Sequence, residues 1–521
     1  MDVVAGDSEM DLEGDPRRWW TLPVLCLSLF MVVMGNTVLN IALPSISESL
    51  GASGTELQWM IDAYALVFAG LLFTAGSLGD RFGRKGALNL GLVIFGVGSA
   101  AATFAETAGM VIACRAVMGL GAAFVMPATL SILTHVFPPR ERAKAIGVWA
   151  GVAGAAGAVG PLTSGYLLEH FYWGSVFWLN VPVVVLALVA GYFLVPTSRH
   201  PDRVPLDPVG ALLSIGAIGS LVYGVIEAPV YGWSDPLILL SFAVAAVLLA
   251  LFVVWERRVR DPMLPLTFFR QRGFTGGALA ISMVFFGMFG MFFLLTQYLQ
   301  MVRGYSALSA AVRTLPFSAA MMIAAPSSAA LAARLGTRVV VTLGLTTAGT
   351  GMLLMSLSDL DSPYWLLALS FVVLATGMGL TMAPSTASIM TSLPHATAGV
   401  GSAMNDTTRE LGGALGVAVL GSILASTYSD AMEPTVQDLP PDLAAQAGHS
   451  LGDALRVAGD LGPQVGQVID AGRQAFVDGM SRSLLAGAGV AFVGAVVASF
   501  LLPRRTVLDD AVEEPQLAGQ A

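Results

Sequence analysis

The chain has 521 residues, a formal net charge of −9, 55% hydrophobic residues and only 12% charged ones. Its mean hydropathy is +0.74. A soluble chain carries about 25% charged residues, so a soluble globular enzyme is excluded. The absence of a basic patch excludes a nucleic-acid binder as well.

The apolar residues fall in runs of roughly 20, the length of helix that crosses a hydrocarbon core of about 30 Å. Backbone polar groups in lipid must be satisfied within the segment, which makes each run a helix. In chain order the predicted spans are 20–43, 57–78, 86–105, 109–133, 144–168, 175–195, 209–228, 236–255, 274–299, 309–332, 338–357, 364–386, 399–426 and 483–502. The tail before Trp19 is acidic and the first run lacks a small-residue cleavage site, so it reads as a retained helix rather than a signal peptide. Cys26 and Cys114 both fall inside spans, so no structural disulfide is expected.

Lys and Arg set the orientation. With the N-terminus inside, cytoplasmic segments hold 19 of them and external segments 5, with Arg115 and Arg409 left inside spans. That bias predicts cytoplasmic termini in a plasma (inner) membrane. The acidic residues of both tails and of 427–482 read as solvated. Segment 427–482 is the one long loop, placed outside; short amphipathic helices around Leu443–Val457 and disorder are both open readings.

Between the second and third spans lies Gly76-Ser77-Leu78-Gly79-Asp80-Arg81-Phe82-Gly83-Arg84-Lys85. A tight, charged, glycine-bearing connection between spans reads as a gate or hinge. Arg334-Leu335-Gly336-Thr337-Arg338 echoes it 253 residues later, with Ala333 where Asp80 stands. The echo maps spans one to six onto nine to fourteen. The expected fold is thus an all-α polytopic membrane protein of two six-helix bundles, a pseudo-repeat, with two inserted helices. Its parts are a tail at 1–19, a bundle at 20–195, the inserted pair at 209–255, a second bundle at 274–502 with the 427–482 loop, and a tail at 503–521. Repeats of this kind place a site near the midplane and rock around it.

The gate segment resembles the signature loop of the major facilitator superfamily at Gly76, Leu78, Asp80, Arg81, Gly83, Arg84 and Lys85. Further motifs resemble its fourteen-helix drug:proton antiporter branch. They are Asn36-Thr37-Val38-Leu39-Asn40-Ile41-Ala42-Leu43-Pro44, Arg115 through Ala123, and Gly157-Ala158-Val159-Gly160-Pro161 with Gly165. Trp173, Phe177, Asn180 and Pro182 follow in the branch's spacing, then Gln297-Tyr298-Leu299-Gln300 and Gly304-Tyr305-Ser306. The resemblance covers about residues 20–502. It implies export of amphipathic small molecules such as drugs or antibiotics, driven by proton antiport with alternating access. It implies no cofactor, a lipid bilayer and protons as partners, and a monomer. Two alternatives stay open: an exporter dedicated to one antibiotic, siderophore or lipid, and a non-transporting sensor or scaffold on the same fold. The branch's usual helix-one Asp is Gly35 here, its helix-four Gln is Met118, and Ala156 and Ser164 replace glycines.

Charges within spans cost roughly 2.5 kcal/mol or more each unless paired or hydrated. At 1.5 Å per residue, Asn40, Asp62 and Arg115 sit roughly 7–9 Å below the outer end of their helices, on one level. Two roles are open: Asp62 carries a proton under the control of Arg115, or the two form a static ion pair. Asp406, Arg409 and Glu410 share one helix face. Glu410 is a second proton or cation site, or a buried partner of Arg409; Asp406 reads as solvated or capping. Asn36, Asn40, Gln297 and Asn405 are candidate polar residues of a cavity. Gly147, Gly151, Gly154, Gly157 and Gly160 suit close helix approach, and Pro161 a kink. Glu227 and Asp235 flank the turn between the inserted helices and read as interface residues. No catalytic constellation, metal-spaced cluster or ATP loop is present, so the chain is not expected to be an enzyme.

Overall fold

The computed structural model describes residues 16–197, 207–260, 262, 264–392, 398–460 and 465–503. The outer tails, Arg199, Arg203, Arg504 and Arg505 lie outside them. The side chains of Asp80 and Arg81 are also outside the described set.

The fold is all-helical. Six helices come first: α1 (Arg18–Leu50), α2 (Gly54–Phe82), α3 (Arg84–Thr103), α4 (Ala108–Val136), α5 (Pro139–His170) and α6 (Ser175–Leu194, broken at Leu179). The inserted pair is α7 (Pro208–Tyr231) and α8 (Pro236–Arg258). Then follow α9 (Arg272–Val302, ending in a π-turn), α10 (Ala307–Leu335), α11 (Thr337–Met355), α12 (Tyr364–Thr391) and α13 (Ala398–Val436). Two short helices, α14 (Pro441–His449) and α15 (Leu451–Arg456), precede the last, α16 (Val465–Leu501). A helix stands at each of the fourteen predicted spans. Among the described residues, twelve of these are long and apolar enough to cross a membrane. The two outside that set are α2, which carries Glu56, Asp62, Asp80 and Arg81, and the Gly- and Ala-rich α5.

Local chemistry marks the ends. Ser53 and Glu56 form a reciprocal capping box at α2, with Ser53 N donating to Glu56 Oε2 at 2.8 Å. Thr107, Asp207, Asp235 and Ser306 cap α4, α7, α8 and α10 through their side-chain oxygens. Helices α1 to α6 pack on one another, as do α9 to α13 with α16. Helix α7 lies against α2 and α13, and α8 packs on α7.

Two sequence expectations are corrected. The gate segment is not a loop. Helix α2 runs on through Phe82, and the single residue Gly83 breaks it, at φ 120° and ψ 123°. Gly336 makes the same break between α10 and α11, at φ 84° and ψ 147°. Each glycine N–H still donates to the carbonyl four residues back, Gly79 and Ala332. The chain therefore reverses with one residue, which requires a glycine backbone. Gly83→Ala is expected to destabilise this turn by about 1–3 kcal/mol and to reduce transport at normal expression. Efflux assays and thermal melts of the purified variant check this.

Segment 427–482 is likewise not one long loop. Helix α13 continues to Val436 and α16 begins at Val465, so both outrun their apolar stretches. Their extensions pack together: a Cβ at Gly472 of α16 would stand 3.0 Å from the Tyr428 hydroxyl of α13. Helices α14 and α15 close this end as a cap, with Ala447, Leu451 and Ala454 buried. Tyr428 on α13 donates to Ala447 O at 3.1 Å and ties the cap down. Proline does not interrupt α5, which is continuous through Pro161.

Candidate functional site

Arg115 is the largest fully buried side chain of the fold. Its guanidinium joins three helices. Nε donates to Met60 O at 2.9 Å, Nη1 to Gly35 O at 3.2 Å and Nη2 to Asn36 Oδ1 at 3.0 Å. Its Cζ lies 4.2 Å from the centre of the Tyr64 ring, a cation–π contact. Tyr64 was not singled out in the sequence. It is fully buried, and its hydroxyl has no hydrogen-bond partner. Arg115 thus links α1, α2 and α4, but through Gly35 O, Asn36 and Met60 O rather than through Asn40 and Asp62, the predicted partners.

The Asp62–Arg115 ion pair expected from depth does not form. Asp62 is fully buried, and among the described residues neither carboxylate oxygen has a hydrogen-bond partner. Depth along a helix fixes height, not the direction around the axis, and Arg115 points its fork at Met60 O and α1. Asn40 stays on its own helix, donating to Asn36 O at 3.5 Å.

Gly35, where the resemblance calls for an acid, is packed shut. A Cβ there would stand 2.8 Å from Phe95 Cζ. Phe95 occupies the volume that a carboxylate side chain would need.

On α13 the pairing also differs from expectation. Arg409 pairs with Asp406 at 3.5 Å rather than with Glu410, because i and i+3 meet on a helix and adjacent residues do not. Its Cζ lies 4.7 Å from the Phe285 ring centre. Asp406 is thus a paired residue, not a solvated cap. Asn405 accepts from Thr386 Oγ1 at 3.0 Å. Glu410 Oε2 has no hydrogen-bond partner, and the carboxylate lies within electrostatic range of Tyr64 and Arg115 across the bundle interface. The site therefore gathers Tyr64 and Arg115 from one bundle and Glu410 from the other; Asp62, buried on α2, makes no hydrogen bond with them.

Among the described residues, contacts between the bundles collect at the capped end. Gln300 Nε2 donates to Ile41 O at 2.9 Å, and Ser306 Oγ donates to Glu169 Oε1. Gln297, the predicted residue, is buried and donates to Phe293 O of its own helix at 3.0 Å, so Gln300 makes the bridge instead. Gly165 seats α5 on α10, where a Cβ would stand 2.6 Å from Leu308 Cα. Gly160 seats α5 on α1 against Thr37. Gly151 and Gly157 face open space, so close approach does not explain them. Gly421 seats α13 on Gln58 of α2. At the opposite end, Lys85 Nζ donates to Tyr192 O at 2.8 Å and fixes the start of α3 to α6. Arg18 and Glu141 pair at 2.7 Å there, joining α1 to α5.

The sequence matches the model of the Major Facilitator Superfamily over residues 25–417. The chain belongs to this superfamily. Several superfamily members are similar along nearly their whole length. The multidrug efflux pump LfrA of Mycolicibacterium smegmatis is 37% identical over 93% of this chain and 98% of its own. The tetracenomycin C resistance and export protein of Streptomyces glaucescens is 35% identical over 93% of this chain and 91% of its own. The methyl viologen resistance protein SmvA of Salmonella typhimurium is 36% identical over 94% and 99%. Among solved structures, the superfamily fold is matched by a bacterial homologue of the human lysosomal transporter Spinster in an inward-facing, occupied conformation. Its TM-score is 0.68 at 18% identity, covering 95% of this chain and 98% of that one. The likeness carries the fold alone.

Proposed function

We propose that this superfamily member is a secondary active exporter of amphipathic small molecules, driven by proton antiport through alternating access. Export is supported by relatives named as efflux and export proteins that align along nearly the full chain. Proton coupling is carried by one observation, the fully buried Asp62 with no partner on either oxygen. A buried unpaired carboxylate is costly as an anion, and protonation removes the charge. Glu410, on the other bundle, is the second proton site. When the bundles rock, the distance between Glu410 and the buried Arg115 guanidinium changes, and with it the ease of protonating Glu410. Closure at the capped end leaves the opposite end as the route by which substrate enters in this state.

The relative named for tetracenomycin C favours a second reading, an exporter dedicated to one compound. A panel of fluorescent amphiphiles, measured as cellular accumulation with and without expression, tests both. Reduced accumulation of several unrelated compounds supports the multidrug reading; reduction of one supports the dedicated one. Unchanged accumulation across the panel and across a set of natural antibiotics contradicts export.

Both termini are placed in the cytoplasm of a plasma membrane, on the charge bias. Gln446 is exposed on α14 of the cap. Gln446→Cys is expected to react with a membrane-impermeant maleimide in intact cells. Reaction only after permeabilisation would reverse the orientation.

A further inference from the structure

A cleft of about 380 Å³ lies on the surface where α2, α7 and α8 meet. Trp59, Gly219, Tyr223, Leu237, Leu240 and Val244 line it. Leu237, Leu240 and Val244 are exposed, so the cleft opens toward the bilayer. It is a shallow groove, open along its length to the lipid side.

The chemistry at its rim is not that of a plain apolar groove. Trp59 and Tyr223 set their rings 6.2 Å apart at 43° to each other. Glu227 stands one turn beyond Tyr223 on the same face of α7. It accepts from Trp59 Nε1 at 3.0 Å, which fixes the indole. A second carboxylate, Asp235, accepts from the N–H of Leu237, a lining residue, at 2.7 Å. Two aromatic faces beside two carboxylates attract a cation and repel an anion. Gly219 opens the floor, since nothing lies within 4 Å of where its Cβ would be.

We propose that this cleft binds an amphipathic cation. The ammonium or phosphonium group sits against Trp59, Tyr223 and Glu227, and the apolar body lies along Leu237, Leu240 and Val244. The site goes beyond the export reading, and its binding needs no ion gradient.

The test uses the full chain in phosphatidylcholine nanodiscs. The probe is a dodecyltrimethylammonium carrying a diazirine on its chain, with the uncharged dodecanol analogue as control. Labelled peptides are mapped by mass spectrometry, with thermal melts run in parallel. The cationic probe is expected to label residues around Trp59 and 219–244, and excess tetraphenylphosphonium to suppress the labelling. Glu227→Gln keeps an acceptor for Trp59 and is expected to lower labelling about tenfold, the loss of one partly desolvated cation contact. Gly219→Leu fills the cleft in empty space and is expected to abolish it. Equal labelling by the uncharged analogue, or unchanged labelling in both variants, would overturn the proposal and leave a groove for lipid chains. Labelling by a protein that exports nothing would overturn the export reading and leave this site standing.

Discussion

Asp62→Asn is expected to yield a folded protein that no longer couples transport to a proton gradient. The carboxylate is fully buried and bonds to nothing, so no ion pair is broken by its neutralisation. Stability should change by no more than about 1 kcal/mol, the scale of a single neutral polar exchange. Coupling should fall to background, because an amide does not bind and release protons near neutral pH. Substrate binding should persist. Glu410→Gln tests the partner site: if it alone removes coupling while Asp62→Asn transports normally, the proton path belongs to α13 and the assignment of Asp62 is wrong. The measurement is gradient-driven uptake into inverted vesicles, with binding followed separately on purified protein.

Arg115→Ala should do the opposite, failing as a fold before it fails as a transporter. The guanidinium satisfies Met60 O, Gly35 O and Asn36 Oδ1 and covers the Tyr64 ring. Each acceptor left bare in a buried place costs about 1–3 kcal/mol. Such terms do not simply add, and a net loss of about 4 kcal/mol is expected, with poor yield and a lowered melting temperature. Arg115→Lys should recover only part of this, since one ammonium cannot span the three acceptors. A melting temperature near wild type for Arg115→Ala would show that the residue does not hold α1, α2 and α4 together.

The helices were readable because lipid leaves the backbone no alternative, and a run of about twenty apolar residues announces itself. The repeat of the gate segment at 334–338 was readable, and Gly83 and Gly336 do share a positive φ; that α2 runs on to a one-residue break was not readable, because a charged, glycine-bearing stretch looks like a loop. The stretch after residue 426 was misread because hydropathy falls where α13 and α16 leave the apolar layer, although both helices continue. Their buried faces there are made against each other and the cap, a pattern weaker than a membrane span.

In the site, the residue types were visible, and the pairings were not. Asp62 and Arg115 were expected at one height, yet Arg115 turns to Gly35 O and Met60 O, carbonyls that no side-chain pattern reveals. Tyr64 gave no signal beyond its aromatic character inside a span. The same holds in the glycine string of α5: spacing put Gly157 and Gly160 in one row, and only the packing shows that Gly160 meets Thr37 while Gly157 meets nothing. The departure at Gly35 becomes intelligible once Phe95 is seen to fill its place.

The central claim is that substrate moves outward as protons move inward through one buried, switchable site. It is tested most directly by reconstituting the purified chain in proteoliposomes loaded with a fluorescent amphiphile and following its release. An imposed pH gradient of either sign is compared with none, with Asp62→Asn alongside. The account predicts that the wild-type chain moves substrate against its gradient only when protons can flow the other way, and that Asp62→Asn does so under neither condition. Release at one rate whatever the gradient, equal in wild type and variant, would contradict it.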